Sequence, residues 1–354
     1  MKLALDATPL TLASGGLHRY TAELSRALAE RFPDDEIALA SDQPFEMPGP
    51  PRANLARLPG PRTALERRWW AYGLNRALAR AGAEVFHGTN FEVPYAARRP
   101  AVLTLHDLSP WLEPFAADAS ARVRRRTPAL IRAGSATLVV TPTEAVRKQA
   151  IEYFRLRPDK VVAVPEAAAP FLQPVETRPG QPYFLYVGAL ERRKNLSTVV
   201  EAWRQVRREF PVDLVLAGRC RPGFAAFPPE PGLRAPGEVP DAELASLYSG
   251  ALAFAYPSLY EGFGLPVLEA MQCGAAVIAS RDAALSEVAG GAAVQVDACD
   301  ARGWAEALRK AAACPEWIAG LRVKSLARAR EFSWARTAQA MREVYEDARR
   351  RFGR

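Results

Sequence analysis

Short apolar runs alternate with longer stretches of helical periodicity along most of the 354-residue chain. In segment 15–32, for example, Tyr20, Leu24 and Leu28 recur on one face, which predicts an amphipathic helix. Strands that alternate with helices of about 10–15 residues are typical of parallel sheets, so an α/β fold is expected. In the first half, strands are predicted at 2–8, 36–41, 84–89, 101–107, 136–142 and 160–167, and helices at 15–32, 64–82 and 143–154.

The same alternation restarts after a proline-rich segment near the middle of the chain. Residues 168–182 contain four prolines and are the best candidate for an interdomain linker. A chain of this length exceeds one ordinary hydrophobic core, so two domains are expected, over 1–172 and 173–334, facing each other across a cleft. Beyond the linker, strands are predicted at 183–190, 212–219, 251–258 and 275–280, and helices at 195–210, 241–250, 303–314 and within 317–352.

The net charge of +8 favours an anionic partner, such as a nucleotide phosphate, a lipid phosphate or a nucleic acid. The basic excess is spread over both halves, and no zinc finger or basic-aromatic strand motif accompanies it. We therefore expect no nucleic-acid partner. A solvated basic face is the simpler interpretation of the charge.

The chain shows no sign of export or membrane insertion at the level of sequence. The apolar start is broken by Asp6 and lacks a basic region, and no apolar run approaches the roughly 18–20 residues that span a bilayer. A cytoplasmic protein is expected. The cysteines form no CxxC pair, so we expect four free and mostly buried thiols at Cys220, Cys273, Cys299 and Cys314.

Two carboxylates eight positions apart form the most informative motif, YEGFGLPVLEA at 260–270. Glu261 is predicted on the loop that leaves a strand, and Glu269 in the first turns of a helix that Pro266 begins. Open α/β sheets bind ligands at such strand ends. The alternative is a helix start that carries acidic residues because the helix dipole favours them.

A run of cations lies between a strand and a helix in VGALERRKNL, residues 187–196. Positive charge at a helix start opposes the dipole, so Arg192, Arg193 and Lys194 make sense if an anionic ligand binds there. A diphosphate would need this positive charge most when it departs as a leaving group, because negative charge then builds up on it. A solvated charge run is the alternative.

The first half contains two further candidate groups at strand ends. Gly15 and Gly16 precede a helix, where free N–H groups attract anions, although a Gly-Gly pair alone is weak evidence. His106 follows a strand in LTLHDLSP and is a candidate hydrogen-bond donor or base, whereas His87 is expected to be packed in the core.

Together these motifs resemble the group-1 glycosyltransferases, a nucleotide-sugar-dependent family with the two-domain GT-B fold. The similarity covers nearly the whole chain in order, and it is most specific at the glutamate pair and at 187–196. The resemblance implies that Glu269 binds the nucleotide ribose hydroxyls and that Glu261 lies beside the transferred sugar and its reacting carbon. It implies that Lys194 and Arg193 bind the diphosphate.

The resemblance extends to residues outside these two motifs. It implies that the backbone of Gly15 and Gly16 donates to the distal phosphate and that His106 contacts the donor sugar as a catalytic residue. Candidates for the nucleobase pocket are Gly218, Arg219 and Val239.

Three positions depart from the family pattern. Ala189 stands where many members carry an arginine, which shifts phosphate neutralisation onto the cations that follow. Arg192 replaces a usual proline. Ser286 also replaces a proline and is a candidate helix cap.

The resemblance implies a hexosyltransferase that retains anomeric configuration by front-face attack of the acceptor. Mannose from GDP-mannose is the first expectation and a UDP-sugar the second, with a glycan or lipid-linked acceptor and no cofactor besides the donor. The closing helix, 335–354, is expected to return to the N-terminal domain. No Asp-x-Asp motif occurs, so we expect no divalent metal.

Four functions other than hexose transfer fit part of the sequence pattern. The alternatives are a sugar epimerase, a phosphorylase, an inactive GT-B scaffold and an RNA-binding protein. The intact glutamate pair with Lys194 argues against a scaffold.

A predicted helix with Trp69-Trp70 beside Arg67 and Arg68 is a candidate for peripheral contact with the inner membrane face. Aromatic residues on a core face explain it equally well.

Overall fold

The computed structural model describes residues 1–12, 14–116, 120–178 and 180–353. The chain folds as two compact units. The first comprises Met1–Glu166 and Ser333–Arg354, and the second comprises Ala167–Phe332. The sequence analysis places the corresponding boundaries at 172/173 and 334/335, and Pro179 of its linker lies outside the described residues.

The first unit is built on one parallel sheet. Within its described residues the sheet has seven strands in the order β3-β2-β1-β4-β5-β6-β7. The strands are β1 Lys2–Asp6, β2 Glu36–Ala40, β3 Leu55–Arg57, β4 Val85–Gly88, β5 Ala101–Thr104, β6 Leu138–Thr141 and β7 Val161–Ala163. The helices are α1 Gly16–Arg31, α2 Leu74–Arg80, α3 Ala121–Arg132, α4 Glu144–Phe154 and, from the C-terminus, α11 Trp334–Arg351.

The second unit repeats this plan. Its described residues form a six-stranded parallel sheet in the order β10-β9-β8-β11-β12-β13. The strands are β8 Tyr183–Val187, β9 Asp213–Ala217, β10 Leu233–Gly237, β11 Ala253–Tyr256, β12 Val277–Ser280 and β13 Val294–Val296. The helices are α5 Leu196–Arg207, α6 Asp241–Gly250, α7 Leu265–Gln272, α8 Ala283–Ala289, α9 Ala301–Ala313 and α10 Pro315–Ala329.

The central strands are buried along their whole length, which explains their uninterrupted apolar sequences. Every residue of β4, β5 and β6 is buried, as is every residue of β11 and β12. A parallel sheet covered by helices on both faces requires this pattern, because no strand face meets water. The predicted α/β class with two Rossmann-like domains is confirmed.

Each sheet contains one point at which the strand order reverses. In the first unit it lies between β1 and β4, and in the second between β8 and β11. At such a point the loops after the two neighbouring strands diverge and leave a crevice at the carboxyl ends. The loops after β1, β4, β8 and β11 are therefore the segments that position a ligand site.

Helix α11 packs within the first unit. The Thr337 hydroxyl donates to the Pro165 carbonyl over 2.7 Å, and the Tyr345 hydroxyl lies 2.8 Å from His87 Nδ1. A salt bridge of 2.7 Å joins Arg342 to Asp35. Helix α11 is thus held by specific polar contacts as well as by its buried apolar side chains.

The prediction of one continuous helix over 64–82 is wrong. A turn of π-helix, Trp69–Gly73, precedes the shorter helix α2, and the Gly73 N–H donates to the Arg68 carbonyl. A Cβ at Gly73 would lie 2.0 Å from the Glu66 carbonyl oxygen, so only glycine permits this close approach. Glu66 itself is buried against Arg80, with Nη1 and Oε1 2.9 Å apart.

Several elements were not predicted, and each carries a weak local signal. Helix α3 is rich in arginine and contains Pro128, which hides its periodicity. Strands β3 and β13 have three residues each, too few for a repeat to be recognised. The strand β10 was missed as well, and the helix expected to begin at Ser286 begins earlier, as α8 at Ala283.

The proline-rich segment predicted as a linker begins inside the second unit. Ala169 and Leu172 belong to that unit's hydrophobic core, and Gln272 Nε2 donates to the carbonyls of both residues. Burial of apolar side chains and of their backbone acceptors therefore fixes the first residues of the segment.

The cysteine prediction was right about pairing and wrong about burial. All four described cysteines are free thiols, yet Cys220, Cys299 and Cys314 are exposed and Cys273 alone of the four is buried. The exposed ones lie in connections between elements, where no core surrounds them. Among the described residues, no helix combines the length and the apolar character that crossing a membrane requires.

Candidate active site

The loops after β8 and β11 bring the predicted cations and one predicted carboxylate together at the switch point of the second unit. Lys194 and Arg193 come from the first loop and Glu261 from the second. Lys194 is 7% exposed and Glu261 8% exposed, so both charges are largely removed from water.

The β8 loop follows a path that requires glycine. Gly188 and Gly218 have φ values of 146° and 149°, which favour glycine. A Cβ on Gly218 would lie 1.8 Å from the Gly188 carbonyl oxygen. The carboxyl ends of β8 and β9 therefore pack backbone against backbone.

A short 3₁₀ turn, Arg192–Lys194, then leads into α5. It ends at Asn195, which has a left-handed backbone (φ 52°) and whose side chain donates to the Ala298 carbonyl over 2.6 Å. Asparagine tolerates this conformation better than most residues. The turn thereby places the Lys194 side chain inward at the start of the helix.

Lys194 binds two groups on and after β11. Its Nζ lies 2.5 Å from Glu261 Oε1 and donates to the Tyr256 hydroxyl over 2.8 Å. The ammonium also lies 5.1 Å from the centre of the Tyr256 ring, within the range of a cation–π interaction. Tyr256, which the sequence analysis missed, is thus a direct partner of the central lysine.

Arg193 holds the β11 loop through both its side chain and its backbone. Its Nη1 donates to the Tyr260 carbonyl over 2.7 Å and lies 3.4 Å from Glu261 Oε2, while its Nη2 lies 3.0 Å from Glu191 Oε1. Its own carbonyl accepts the Leu259 N–H over 2.9 Å. These bonds fix the backbone that presents Glu261.

Glycine also governs the turn from Glu261 into α7. Gly264 has φ of 94°, and a Cβ there would lie 2.3 Å from Leu285 Cδ2. Pro266 occupies the first turn of α7, as predicted from its position. The predicted cap Ser286 is wrong, because the Asp282 side chain accepts the first free N–H groups of α8.

The electrostatic balance of the cluster keeps Glu261 ionised. Burial alone would raise the pKa of Glu261, but the charges of Lys194 and Arg193 outweigh it and lower the pKa to about 2. Burial lowers the pKa of Lys194, while Glu261 opposes that effect. At neutral pH the pair is a buried ammonium–carboxylate contact.

Glu269 lies on α7 and is 3% exposed. The Tyr248 hydroxyl of α6 donates to its Oε2 over 3.0 Å. Burial, followed by the charge of Glu269, raises the pKa of the neighbouring Cys273 thiol to about 12. Tyr248, another residue that the sequence analysis missed, orients one of the two carboxylate oxygens.

The predicted nucleobase residues lie at or beyond the ends of β9 and β10. Gly218 donates its N–H to the Gly237 carbonyl over 2.7 Å. Arg219 is paired with Glu238, with Nε and Oε2 3.1 Å apart. Val239 packs, partly buried, against the hydrophobic core of the unit.

Three predicted residues belong to the first unit. Gly15, with φ of 112°, precedes α1, and Gly16 is the first residue of that helix. His106 follows β5 and has 13% of its side chain exposed. Its Nε2 lies 2.7 Å from the Thr89 carbonyl and its Nδ1 lies 3.2 Å from Glu166 Oε1.

His87 is confirmed as a packed residue, because it is fully buried. Its Nε2 lies 2.7 Å from the Thr104 hydroxyl, which in turn lies 3.2 Å from the Tyr20 hydroxyl. Burial, with a smaller effect from the charge of His106, lowers the pKa of His87 to about 3. His87 is therefore neutral and links β4 to α1 and α11.

A metal site would require several ligating side chains close together in the described part of the chain. No group of three or more His, Cys, Asp or Glu residues there is arranged to hold a metal ion. At the switch point of the second unit, the positive charges of Lys194 and Arg193 lie beside the carboxylate of Glu261.

Comparison with known protein families agrees with this architecture in both units. A family model described as "Glycosyl transferases group 1" matches residues 181–313, and one described as "Glycosyltransferase Family 4" matches residues 14–169. The O-antigen chain mannosyltransferase B of Escherichia coli is 30% identical over 94% of this chain and 96% of its own length.

Solved structures show the same fold at lower identity. Sucrose-phosphate synthase from Thermosynechococcus elongatus superimposes with a TM-score of 0.77 at 21% identity, over 98% of both chains. Anabaena HepE, in a complex with UDP and glucose, has a TM-score of 0.71 at 17% identity, over 98% of this chain and 100% of that one. The predicted GT-B fold is thereby confirmed.

The buried pair predicts a specific pattern of stability losses. Removing one partner of a buried ion pair typically costs about 3–5 kcal/mol. We expect Glu261→Gln to cost more than Lys194→Met, because Glu261 keeps Arg193 whereas Lys194 would be left beside another cation. Urea unfolding of both single variants and the double variant measures this. The double variant should cost less than the sum by about 0.5–3 kcal/mol.

A matched control and a pH series complete the test. Glu306→Gln breaks an exposed pair with Arg302 on α9 and should cost only about 0.3–0.5 kcal/mol. The pKa of Glu261 is about 2 in the folded chain, against an ordinary 4.5, so its stabilising effect is complete above 4.5 and disappears as pH falls towards 2. A wild-type advantage over Glu261→Gln that stays constant across that window would contradict the assignment.

Proposed function

The chain belongs to the group-1 glycosyltransferases, and from that premise we propose that it transfers mannose from GDP-mannose to a glycan or lipid-linked acceptor, with retention and without a divalent metal. The observation that carries the proposal is the cluster of Lys194, Arg193 and Glu261 at the switch point of the second unit. Ligands bind open α/β sheets at this place.

The chemistry of the cluster fits departure of a nucleoside diphosphate. Breaking the glycosidic bond builds negative charge on the diphosphate and positive charge on the sugar ring. Lys194 and Arg193 would stabilise the first charge and Glu261 the second, in a partly dry site where such effects are strong. The N–H groups of Gly15 and Gly16 are assigned to the distal phosphate in this scheme.

Electrostatics distinguish between two roles for Glu261. A carboxylate with a pKa of about 2 binds protons weakly, so it is a poor general base at neutral pH. We therefore assign it to stabilising the positive sugar ring. The acceptor hydroxyl would attack the anomeric carbon on the face that the diphosphate leaves, which retains configuration and lets the departing phosphate oxygen take the proton.

The choice of donor rests on the relatives. Mannosyltransferase B of Escherichia coli aligns over nearly the whole chain, which favours a mannosyl donor. UDP-sugars are the second candidate, because a structural neighbour was solved with UDP and glucose. Glu269, with one oxygen held by Tyr248, would bind the ribose hydroxyls of either nucleotide, next to a base pocket at Gly218, Arg219 and Val239.

A thermal-shift panel tests the donor. GDP, GDP-mannose, UDP, UDP-glucose and ADP are each added with and without EDTA, and we expect GDP and GDP-mannose to raise Tm most, equally with EDTA. A ligand at about 100 times its Kd stabilises the folded state by about 2.7 kcal/mol. A larger shift with UDP would replace GDP-mannose by a UDP-sugar. Stabilisation that disappears in EDTA would overturn metal independence.

Turnover of site variants tests the roles. Glu261→Ala and Lys194→Ala should each lower kcat by a factor of about 10²–10³, the usual loss when one preorganised electrostatic contact is removed. Donor consumption and product anomeric configuration are followed by NMR. Glu306→Gln serves as the folded control. Near-normal rates in both alanine variants would reject the cluster as catalytic, and an inverted product would reject retention.

The acceptor is assigned to the first unit, where exposed cationic and apolar side chains lie close in sequence. Arg67 and Arg68 are exposed, and so are Leu65 and Tyr72, at 45% and 50%. Trp69, in contrast, is only 3% exposed and belongs to the core. We propose that this segment, 65–72, contacts an anionic bilayer that carries the acceptor.

Vesicle flotation tests the membrane contact. Each basic residue near an anionic surface contributes about 1 kcal/mol, so Arg67→Ala/Arg68→Ala should bind phosphatidylserine vesicles about 30-fold more weakly. Arg302→Ala/Arg330→Ala, which removes two exposed arginines of the second unit, is the control. Equal flotation of all three proteins, or no flotation of the wild type, would reject the contact.

A further inference from the structure

His106 lies between two hydrogen-bond acceptors. Its Nε2 is 2.7 Å from the Thr89 carbonyl oxygen, which follows β4. Its Nδ1 is 3.2 Å from Glu166 Oε1, at the end of the first segment of the first unit. Glu166 has 5% of its side chain exposed, so the contact is shielded from water.

The chemical nature of these two acceptors determines which ring nitrogens of His106 carry a proton. A carbonyl oxygen has no hydrogen to donate, so His106 Nε2 must carry one. Where the Glu166 carboxylate is the acceptor of the second contact, His106 Nδ1 carries a proton as well. With both nitrogens donating, the ring would be an imidazolium paired with Glu166, and neither nitrogen would have a lone pair left to accept a proton.

The surrounding charges agree with this state. Burial opposes a positive charge on His106, but the hydrogen bond and charge of Glu166, followed by Thr89 and Asp107, outweigh burial and raise the pKa of His106. His87 on β4 is neutral, and the Tyr20 ring of α1 lies 4.8 Å from the His106 ring. Burial, reinforced by Glu166, raises the pKa of Tyr20, so Tyr20 is neutral too.

The position of Glu166 is itself fixed by the C-terminal helix. Pro165, its neighbour, accepts a hydrogen bond of 2.7 Å from the Thr337 hydroxyl of α11. The side chain of Trp334, also on α11, lies against Tyr20, with ring centroids 6.1 Å apart. The backbone next to Glu166 is therefore held by α11, in addition to the contact that its side chain makes with His106.

We propose that Glu166 is a positioning residue that holds His106 doubly protonated, so that His106 serves the transfer reaction as a fixed positive charge and not as a proton acceptor. This inference rests on the proposed function, because it assigns the protonation state of His106 in the proposed transfer reaction, where the family resemblance expects this side chain at the donor sugar. It excludes a base role for His106 and assigns a function to Glu166, which lies 60 residues away in the chain.

The first test needs no substrate. The chain has three histidines, so ¹⁵N-labelled histidine gives a simple spectrum in which His87, neutral, is an internal reference. At pH 7.5 we expect both nitrogens of His106 to carry protons. In Glu166→Gln we expect the Nδ1 proton to be lost and the Nε2 proton to remain, since removing an adjacent carboxylate lowers a pKa by about 1–3 units. Glu166→Asp, which keeps the charge, should stay doubly protonated.

The second test measures how kcat/KM of the transfer reaction depends on pH. In Glu166→Gln, kcat/KM should fall with rising pH and recover in acid, whereas the wild type stays level over that range. Above the lowered pKa the charged fraction drops about tenfold per pH unit. Glu144→Gln, which breaks a partly exposed pair with Arg147 on α4, is the control and should follow the wild type.

Each outcome decides the inference. A singly protonated His106 in the wild type, or an unchanged doubly protonated ring in Glu166→Gln, overturns it. A proton loss in Glu166→Gln with a pH profile like the wild type overturns the positioning role. Because the NMR measurement uses the ligand-free protein, it stands even if the donor panel rejects GDP-mannose, so the two failures are distinguishable.

Discussion

The buried contact between Lys194 and Glu261 joins the loops after β8 and β11 at the switch point of the second unit. Each charge is costly to bury alone, and both are stable where they are because they lie 2.5 Å apart with Arg193 and Tyr256 as further partners. The loops after β8 and β11 therefore cannot shift independently. The glycines at 188, 218 and 264 permit the backbone paths that bring these loops to one point.

The first unit also contains a buried contact between two polar side chains that are distant in sequence. His106 and Glu166 are both largely buried, and their contact joins the end of β5 to the point where the chain leaves the unit. Around them, neutral groups such as His87 and Tyr20 fill the space without adding charge. In each unit a buried pair of polar side chains is therefore held within the fold, which keeps those side chains oriented.

Membership of the group-1 glycosyltransferases gives these pairs a chemical meaning. A nucleotide sugar carries a diphosphate that must be neutralised as it leaves and a sugar ring that becomes positive, and the cluster contains charges of both signs. Lys194 and Arg193 lower the pKa of Glu261, and Glu166 raises the pKa of His106, so both proposed roles are electrostatic. A reaction in which the leaving phosphate accepts the proton suits such a site, because neither side chain is needed as a base.

The sequence by itself determined the α/β class, the two-domain plan and the loops that carry Lys194 and Glu261, because periodicity, proline and glycine act over a few neighbouring residues. It did not reveal α3 or the short strands β3 and β13, whose local signals are weak. Only the tertiary structure decided that Lys194 contacts Glu261 across 67 residues and that Glu166 faces His106 across 60. Such contacts depend on which strands are neighbours in the sheet and on how deeply the side chains are buried in the folded chain. Burial matters because it raises the cost of an unpaired charge. A local sequence pattern does not specify which distant residues meet.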